Sequence, residues 1–502
     1  MSSQPPQDPS RWLRLLVLLV PVAATLALNI FYRAIIFDDT YIGLRYAENL
    51  ARGRGFVWNQ GEAVMSITSP LWVLLLGALH WLGFGLTRTA VDLGIFFTCV
   101  MSFFIQLLLA PRLRPWHALA TGVAVAFFPI MPYVANSGFE TGISLAAFFG
   151  IIYFVLTGRY IPAGILSGII MQVRPEGAVI VGLGALLAWH EGRNKALRFI
   201  IAMALTVAPW IIYATLTYGT PIPTSIAAKQ ANHYCPSSTI IKNLFGLMIL
   251  AAPVSIFALP GLAVWVKIRS ELRLVGAWIA LYVIGIIFSH IQFMLFVWYL
   301  APLAACWVLA AAWGMDWLAV LAGSRLPARA RRAKKLTALA PAAITFLYAG
   351  FFLIGAFTYR QFQWNLGADR PLKYLYVAHW LSPRLHPGQS VLVAECGALG
   401  YAMIDQKIMD ASGLNTPEIF KLCQVARDPD RPDPADDRPV FNTAPCDLKV
   451  IQTYQPDYIV TFSLFMHIGE LTRIPWLSEH YRRLDPGRND LADYIILQRK
   501  DL

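Results

Sequence analysis

The sequence predicts a polytopic α-helical membrane protein of about eleven transmembrane helices, carrying a small C-terminal α/β domain on its outer side. Three observations lead there. The 502-residue chain is 57% hydrophobic and only 14% charged, with a mean hydropathy of +0.54, and that is more apolar surface than one soluble core can hide. Apolar runs close to bilayer length recur up to residue 359. Net charge is also divided, about +14 over residues 1–359 and about −2 over residues 360–502, as expected of a membrane body followed by a water-facing domain. The basic residues sit in short loops between apolar runs and line no aromatic groove, which excludes nucleic acid as a partner.

The first apolar run, Trp12 to Ile36, spans a bilayer and precedes charged sequence with no small-residue cleavage site, so it reads as a retained anchor. Further spans are expected at Val91–Leu109, Trp116–Val134, Thr141–Thr157, Ile161–Val173, Ala178–His190, Ala196–Tyr213, Phe245–Val266, Leu274–Phe288, Phe293–Trp313 and Thr337–Phe357. With the N-terminus cytoplasmic, the inner segments hold Arg11, Arg14, Arg112, Arg114, Arg159, Arg193 and the cluster from Arg325 to Lys335, which satisfies the positive-inside bias. That orientation requires the short run Pro70–Phe84 to lie in the interface or re-enter without crossing. An odd number of crossings then places residues 360–502 outside the cytoplasm, in a bacterial inner membrane.

Where the first run ends, the chain places two adjacent acids, Asp38 and Asp39. A charge near the bilayer core costs roughly 2.5–3.5 kcal/mol on insertion scales, so a pair at this boundary calls for a compensating role. From Tyr41 to Arg52, Ile42, Tyr46 and Leu50 share one helical face, with Arg45, Glu48 and Arg52 on another, the pattern of a helix lying in the membrane plane. A solvated surface helix is the plain alternative.

Other ionisable residues gather on the same side. Glu140 follows Ser137-Gly138-Phe139, Arg174 and Glu176 share the turn Arg174-Pro175-Glu176-Gly177, and Lys229 lies in the segment Tyr218–Gln230. Singly, each reads as a snorkelling or capping side chain; together they deliver acids and bases from four loops to one face. Such a set suits departure of a prenyl phosphate, with Arg45, Arg174 and Lys229 as cations around the leaving group. A carboxylate would accept the proton of an acceptor hydroxyl and steady positive charge developing on the sugar. Mutual repulsion would raise the pKa of one of Asp38 and Asp39, or the two would hold a divalent cation (Mg2+, Mn2+ or Ca2+) as metal ligands; the sequence leaves both readings open. Tyr41 and His233 are further candidates for contacts with donor or acceptor, although an exposed loop histidine is the simpler reading of His233.

The run Asp38-Asp39-Thr40-Tyr41-Ile42-Gly43-Leu44-Arg45, then Gly53-Arg54-Gly55-Phe56-Val57-Trp58-Asn59 and Thr68-Ser69-Pro70-Leu71-Trp72, resembles the first outer loop of GT-C glycosyltransferases, in particular the mycobacterial terminal arabinofuranosyltransferase type. Ser137–Thr141, Arg174–Gly177, Tyr218-Gly219 with Pro223-Thr224 and Lys229, and Gly397–Tyr401 followed by Asp410 and Gly413-Leu414 resemble that group in order and spacing. The resemblance implies a polyprenyl phosphate sugar donor, inversion at the anomeric carbon, extracytoplasmic chemistry on a glycan, lipid or protein acceptor, and one of Asp38 and Asp39 as the base. It does not choose between arabinofuranose and a hexose, and an oligosaccharyltransferase-like enzyme shares the architecture. A transporter is disfavoured: no internal repeat is visible, and the charges sit at helix ends and not midway along interrupted helices.

In the C-terminal region, strands are expected at Ser390–Ala394, near Ile408, at Tyr458–Phe462 and at Tyr494–Gln498, with helices between. Gly397 and Gly400 read as a tight structural turn more readily than as a phosphate loop, and Arg427–Pro445, rich in Pro and Asp, as a long irregular loop. Cys99 and Cys306 read as packing residues, while Cys423 and Cys446 bracket that loop and are placed to close it as a disulfide. No Cys/His spacing suggests zinc.

Overall fold

The structure, a computed structural model, describes residues 11–32, 36–232, 234–292, 296–327, 330–365, 369–386, 388–423, 444–463 and 465–502. The chain divides into two compact units. One comprises Met1–Ile35, Ala90–Pro209 and Pro236–Leu366; the other comprises Ile36–Thr89, Trp210–Cys235 and Gly367–Leu502. The second unit thus draws together three stretches far apart in sequence.

Most of the first unit is apolar helix. Among the described residues, five helices are long and apolar enough to cross a membrane: Arg11–Tyr32 (α1), Leu86–Leu109, Arg193–Tyr218, Val297–Ser324 and Arg332–Gln363. The pair Ser237–Leu250 and Ala252–Lys267, bent by 103° at its break, adds a sixth if it serves as one span. Several remaining expected spans form shorter helices, among them Thr141–Leu156, Tyr160–Met171 and Arg273–Ser289. At a rise of 1.5 Å per residue these are shorter than a hydrocarbon core of about 30 Å. Large apolar side chains nonetheless face outward on the long helices, including Leu205, Leu216, Leu347 and Phe351, a surface that water would not tolerate and lipid would.

In the second unit, Asp38–Ala51 (α2) and Pro70–Trp81 (α3) are both helical and pack tightly: a Cβ added at Gly77 would come within 2.9 Å of Leu50. At 12 residues, α3 is short for a bilayer span. Residues from 390 onward build a five-stranded mixed sheet. Ser390–Val393 (β1), Lys407–Asp410 (β2), Tyr458–Phe462 (β3), Tyr481–Leu484 (β4) and Tyr494–Arg499 (β5) lie in the order β2-β1-β3-β5-β4. The first three strands run parallel, pairing Val391 with Ile408 and with Tyr458; β5 runs antiparallel to both β3 and β4. Leu392, Ile419, Val450, Ile451, Ile459, Ile468 and Leu471 form a buried core against the sheet. Four of the strands match expectation. β4 was missed because Tyr-Arg-Arg-Leu carries two central charges that face water at the sheet edge, where polar residues are tolerated.

Cys446 is disulfide-bonded, whereas Cys99, Cys235, Cys306 and Cys396 are free. The side chain of Cys423 and most of the Pro/Asp-rich loop, residues 424–443, lie outside the described residues.

Candidate active site

Helix α2 begins at the acid pair. Phe37 is extended (φ −72°, ψ 153°), and both Asp38 and Asp39 occupy the first turn, where carboxylates complement the exposed amides and the positive end of the helix dipole. Asp38, however, is engaged elsewhere. Its Oδ2 accepts the N–H of Gly397 at 2.9 Å and its Oδ1 accepts the N–H of Ala398 at 2.8 Å, the first two residues of the Gly397–Ala402 helix. Glycine is required at 397 by close approach: a Cβ there would lie 1.9 Å from the Asp38 carbonyl oxygen. Gly397 and Gly400 therefore serve contact, and the group seated at this turn is the protein's own Asp38 carboxyl. Burial, followed by the nearby Glu395, pushes the Asp38 carboxyl up to about 8 against the opposing effect of the amide bonds. Asp39, half-buried beside it, carries no such bond among the described residues.

The structure corrects the expected role of Arg45. Its side chain is fully buried and all five N–H donors meet internal acceptors: Nε the Trp58 carbonyl at 2.8 Å, one terminal nitrogen the carbonyls of Gly400 and Met403, the other Asn59 Oδ1 at 3.1 Å and the Gln406 carbonyl at 2.9 Å. The guanidinium also lies over the Trp58 ring, 4.7 Å from its centroid. Burial lowers its pKa to about 9. With no donor left to offer, Arg45 is a clamp between the first loop and residues 400–406, not a phosphate ligand. Tyr41 is likewise buried, 5.5 Å from the ring of Tyr401.

The rest of the resembling first-loop segment is pinned in the same way. Asn59 exchanges hydrogen bonds with both backbone groups of Ile408, at 3.0 Å each, and Trp58 Nε1 donates to the same carbonyl. Tyr218 donates from its hydroxyl to the Phe56 carbonyl, and Thr224 bonds to Met65 and Leu414. The first loop, the Tyr218–Thr224 stretch and the Gly397–Leu414 stretch, three of the segments on which the sequence resemblance rests, thus meet in one unit. Lys229 lies on the helix Thr224–Asn232 of that unit; His233 lies outside the described residues.

Glu140, Arg174 and Glu176 meet in the other unit. Arg174 contacts Glu140 at 2.8 Å, Glu176 at 3.6 Å and the Thr141 hydroxyl at 3.2 Å, with the rings of Trp298 and Tyr299 5.8 and 5.6 Å away. Burial opposes the charge on Arg174, but Glu140 and Glu176 outweigh it and leave its pKa raised.

Sequence reasoning missed Glu395. It lies two residues beyond β1, past the carboxyl end of a parallel strand where functional groups gather in open α/β sheets, and that placement was the available signal. One of its oxygens pairs with Arg370 at 3.2 Å, while Oε2 is buried without a hydrogen-bond partner. Burial raises its pKa against the opposing pull of Arg370 and Tyr374, and Asp39 adds to the rise. Both Asp38 oxygens are occupied by amides, and among the described residues no group of three or more His, Cys, Asp or Glu side chains is placed to hold a metal ion.

Residues 359–497 match the model of a domain of unknown function, DUF8728. A terminal β-(1→2)-arabinofuranosyltransferase of Mycobacterium tuberculosis is 28% identical over 234 residues, which cover 42% of this chain and 37% of that protein. The Corynebacterium glutamicum protein of the same name is 29% identical over 238 residues, covering 39% and 33%. The chain thus spans about a third of the length of the curated relatives it matches. Among solved structures, ArnT from Cupriavidus metallidurans bound to undecaprenyl phosphate superposes with a TM-score of 0.60 at 13% identity, covering 98% of each chain. An Archaeoglobus fulgidus oligosaccharyltransferase tethered to an acceptor peptide gives 0.55 at 12% identity, covering 95% of this chain and 73% of the other. Spread along nearly the whole sequence, that likeness gives the chain the GT-C fold, a multi-pass membrane architecture with a small mixed-sheet domain.

Proposed function

We propose that this protein is an inverting glycosyltransferase that moves a single sugar, arabinofuranose, from a polyprenyl phosphate to a glycan, lipid or protein acceptor on the extracytoplasmic side of a bacterial inner membrane. The observation that carries the reading is the acid pair at the start of α2, just beyond the first membrane helix, with one member fixed by amides and the other left for chemistry. The names of the two sequence relatives support the sugar and the activity. Undecaprenyl phosphate bound to ArnT supports a donor carried on a prenyl phosphate.

In this reading Asp39 accepts the proton of the acceptor hydroxyl as that oxygen attacks the anomeric carbon. The bond from that carbon to the phosphate oxygen breaks, its electrons leave with the polyprenyl phosphate, and configuration inverts. Asp38 holds the turn that presents Asp39. Lys229 supplies positive charge to the departing phosphate. Purified protein in nanodiscs, incubated with synthetic prenyl phosphate pentoses and hexoses, should consume the arabinofuranosyl donor and add one pentose mass to the acceptor. Consumption of a hexose donor instead would retain the fold and replace the sugar. Transfer of a preassembled oligosaccharide would replace the reaction. A reporter fused after Asp369 is expected to be active outside the cytoplasm.

A further inference from the structure

At the end of the C-terminal sheet away from the acid corner lies a cavity of about 270 Å³, lined by Trp380, Arg384, Tyr458, Leu484, Asp485 and Gln498. Tyr458 opens β3 and pairs with Val391 near the start of β1, whereas Glu395 and Gly397 lie past the other end of that strand. Arg370, at the start of the helix Arg370–Leu381, pairs with Glu395, and Trp380 lies ten residues on, about 15 Å further at a rise of 1.5 Å per residue. The walls of the cavity are fastened to one another. The Tyr458 hydroxyl donates to the Arg384 carbonyl at 3.3 Å and accepts from Gln498 Nε2 at 3.0 Å, while Gln498 Oε1 accepts two bonds from Arg482, at 3.0 and 2.8 Å. The Arg384 guanidinium lies 3.9 Å from the centroid of the Trp380 ring and gives one N–H to the Trp380 carbonyl. Asp485 Oδ1 accepts the N–H of Gly487 at 2.8 Å. Among the described residues, the second Asp485 oxygen, Nε and the second terminal nitrogen of Arg384, and one N–H of Gln498 stay uncommitted.

We propose that this cavity is a saccharide-binding site that takes one neutral sugar ring of a glycan, remote from the acid corner. Its volume falls just below the roughly 300–1,000 Å³ of sites that bury a drug-sized ligand, which suits a single ring. Its charges select against ions: Asp485 repels an anion such as phosphate and Arg384 repels a cation. A hydroxyl, which donates and accepts at once, satisfies both, and each bond is strengthened by the charge on its partner. Trp380, Tyr458 and Leu484 supply apolar surface for the C–H face of the ring. Because Arg384 is already held by the indole and by a carbonyl, little of its freedom remains to be lost on binding. The meaning of the site rests on the transferase reading: of the glycan, lipid and protein acceptors left open there, it selects a glycan long enough to reach from the acid corner to the far end of the sheet.

The full chain in nanodiscs, without donor, is irradiated with neutral oligosaccharides that carry a photoreactive diazirine, one built of arabinofuranose and one of a hexose, and the labelled peptides are identified by mass spectrometry. Label is expected on the peptides that carry Trp380 to Arg384 or Leu484 and Asp485. It should fall at least about tenfold in Asp485→Asn and in Arg384→Gln, the effect of losing one hydrogen bond to a charged group. Both side chains are exposed, so the variants should melt as the native protein does; if one melts early, the other decides. Label confined to other peptides, or undiminished in both variants, would overturn the proposal. So would displacement of the label by inorganic phosphate but not by unlabelled oligosaccharide. A labelled cavity without transfer of any sugar would sink the transferase reading alone, while transfer to a glycan with the cavity unlabelled would sink this inference alone.

Discussion

The molecule handles buried charge in two contrasting ways. Around Arg174, one guanidinium sits between Glu140 and Glu176 with aromatic rings beside it, an arrangement that closes on itself. Asp38 is held by two backbone amides and has a raised affinity for protons, while Glu395 takes the Arg370 guanidinium. The first cluster resembles a fastening, since its charges satisfy one another. The second is left incomplete, as sites that exchange protons with a substrate tend to be.

Breaking the second cluster should have the largest effect. Asp39→Asn is expected to lower transfer by about 10²–10⁴-fold, the usual contribution of a positioned base, with unchanged expression and melting behaviour; equal loss of folding would reassign Asp39 to structure. Asp38→Asn should lose activity together with stability, about 0.5–2 kcal/mol of it from the cap on the Gly397 helix. Next comes the fastening. Arg174→Gln leaves Glu140 buried and unpaired, at a cost of about 3–5 kcal/mol read from unfolding in detergent, and a near-neutral result would mean that the triad is as open as the acid corner. Glu176→Gln, at the longer and more exposed contact, should cost under about 1 kcal/mol.

Arg45→Lys sharpens the contrast between clamp and ligand. Lysine brings three donors in place of five, so buried carbonyls lose partners at about 1–3 kcal/mol each. The protein should melt earlier while donor KM stays constant, and a KM effect without destabilisation would restore Arg45 to phosphate binding. The smallest effect is expected from chelation: EDTA should leave transfer unchanged, because both Asp38 oxygens are already engaged by backbone amides. Loss of activity rescued by Mg2+ or Mn2+ would show otherwise.

Much of this was legible in the residues. Hydropathy gave the membrane body, strand patterning gave four of five strands, and the adjacent acids marked the corner, because each signal is local to a short stretch. Arg45 misled for an equally physical reason. Helical periodicity put it on the charged face of α2, and no local rule reveals that carbonyls about 355 residues away would accept its hydrogen bonds. Glu395 was overlooked because an isolated acid after a buried strand has no spacing partner; only the fold brings it beside Asp38. Some apolar stretches that read as continuous become short or bent helices.

The bonds from Asn59 and Trp58 to Ile408 have a practical consequence. The strand β2 lies at the margin of its sheet, and its outward polar groups are covered by a segment that entered the chain some 350 residues earlier. Anyone expressing the soluble portion by itself, cut near residue 359, would strip that cover and leave a raw margin prone to self-association. Grafting the stretch from Phe56 to Ser66 back onto the truncated piece is the more promising route to a well-behaved sample.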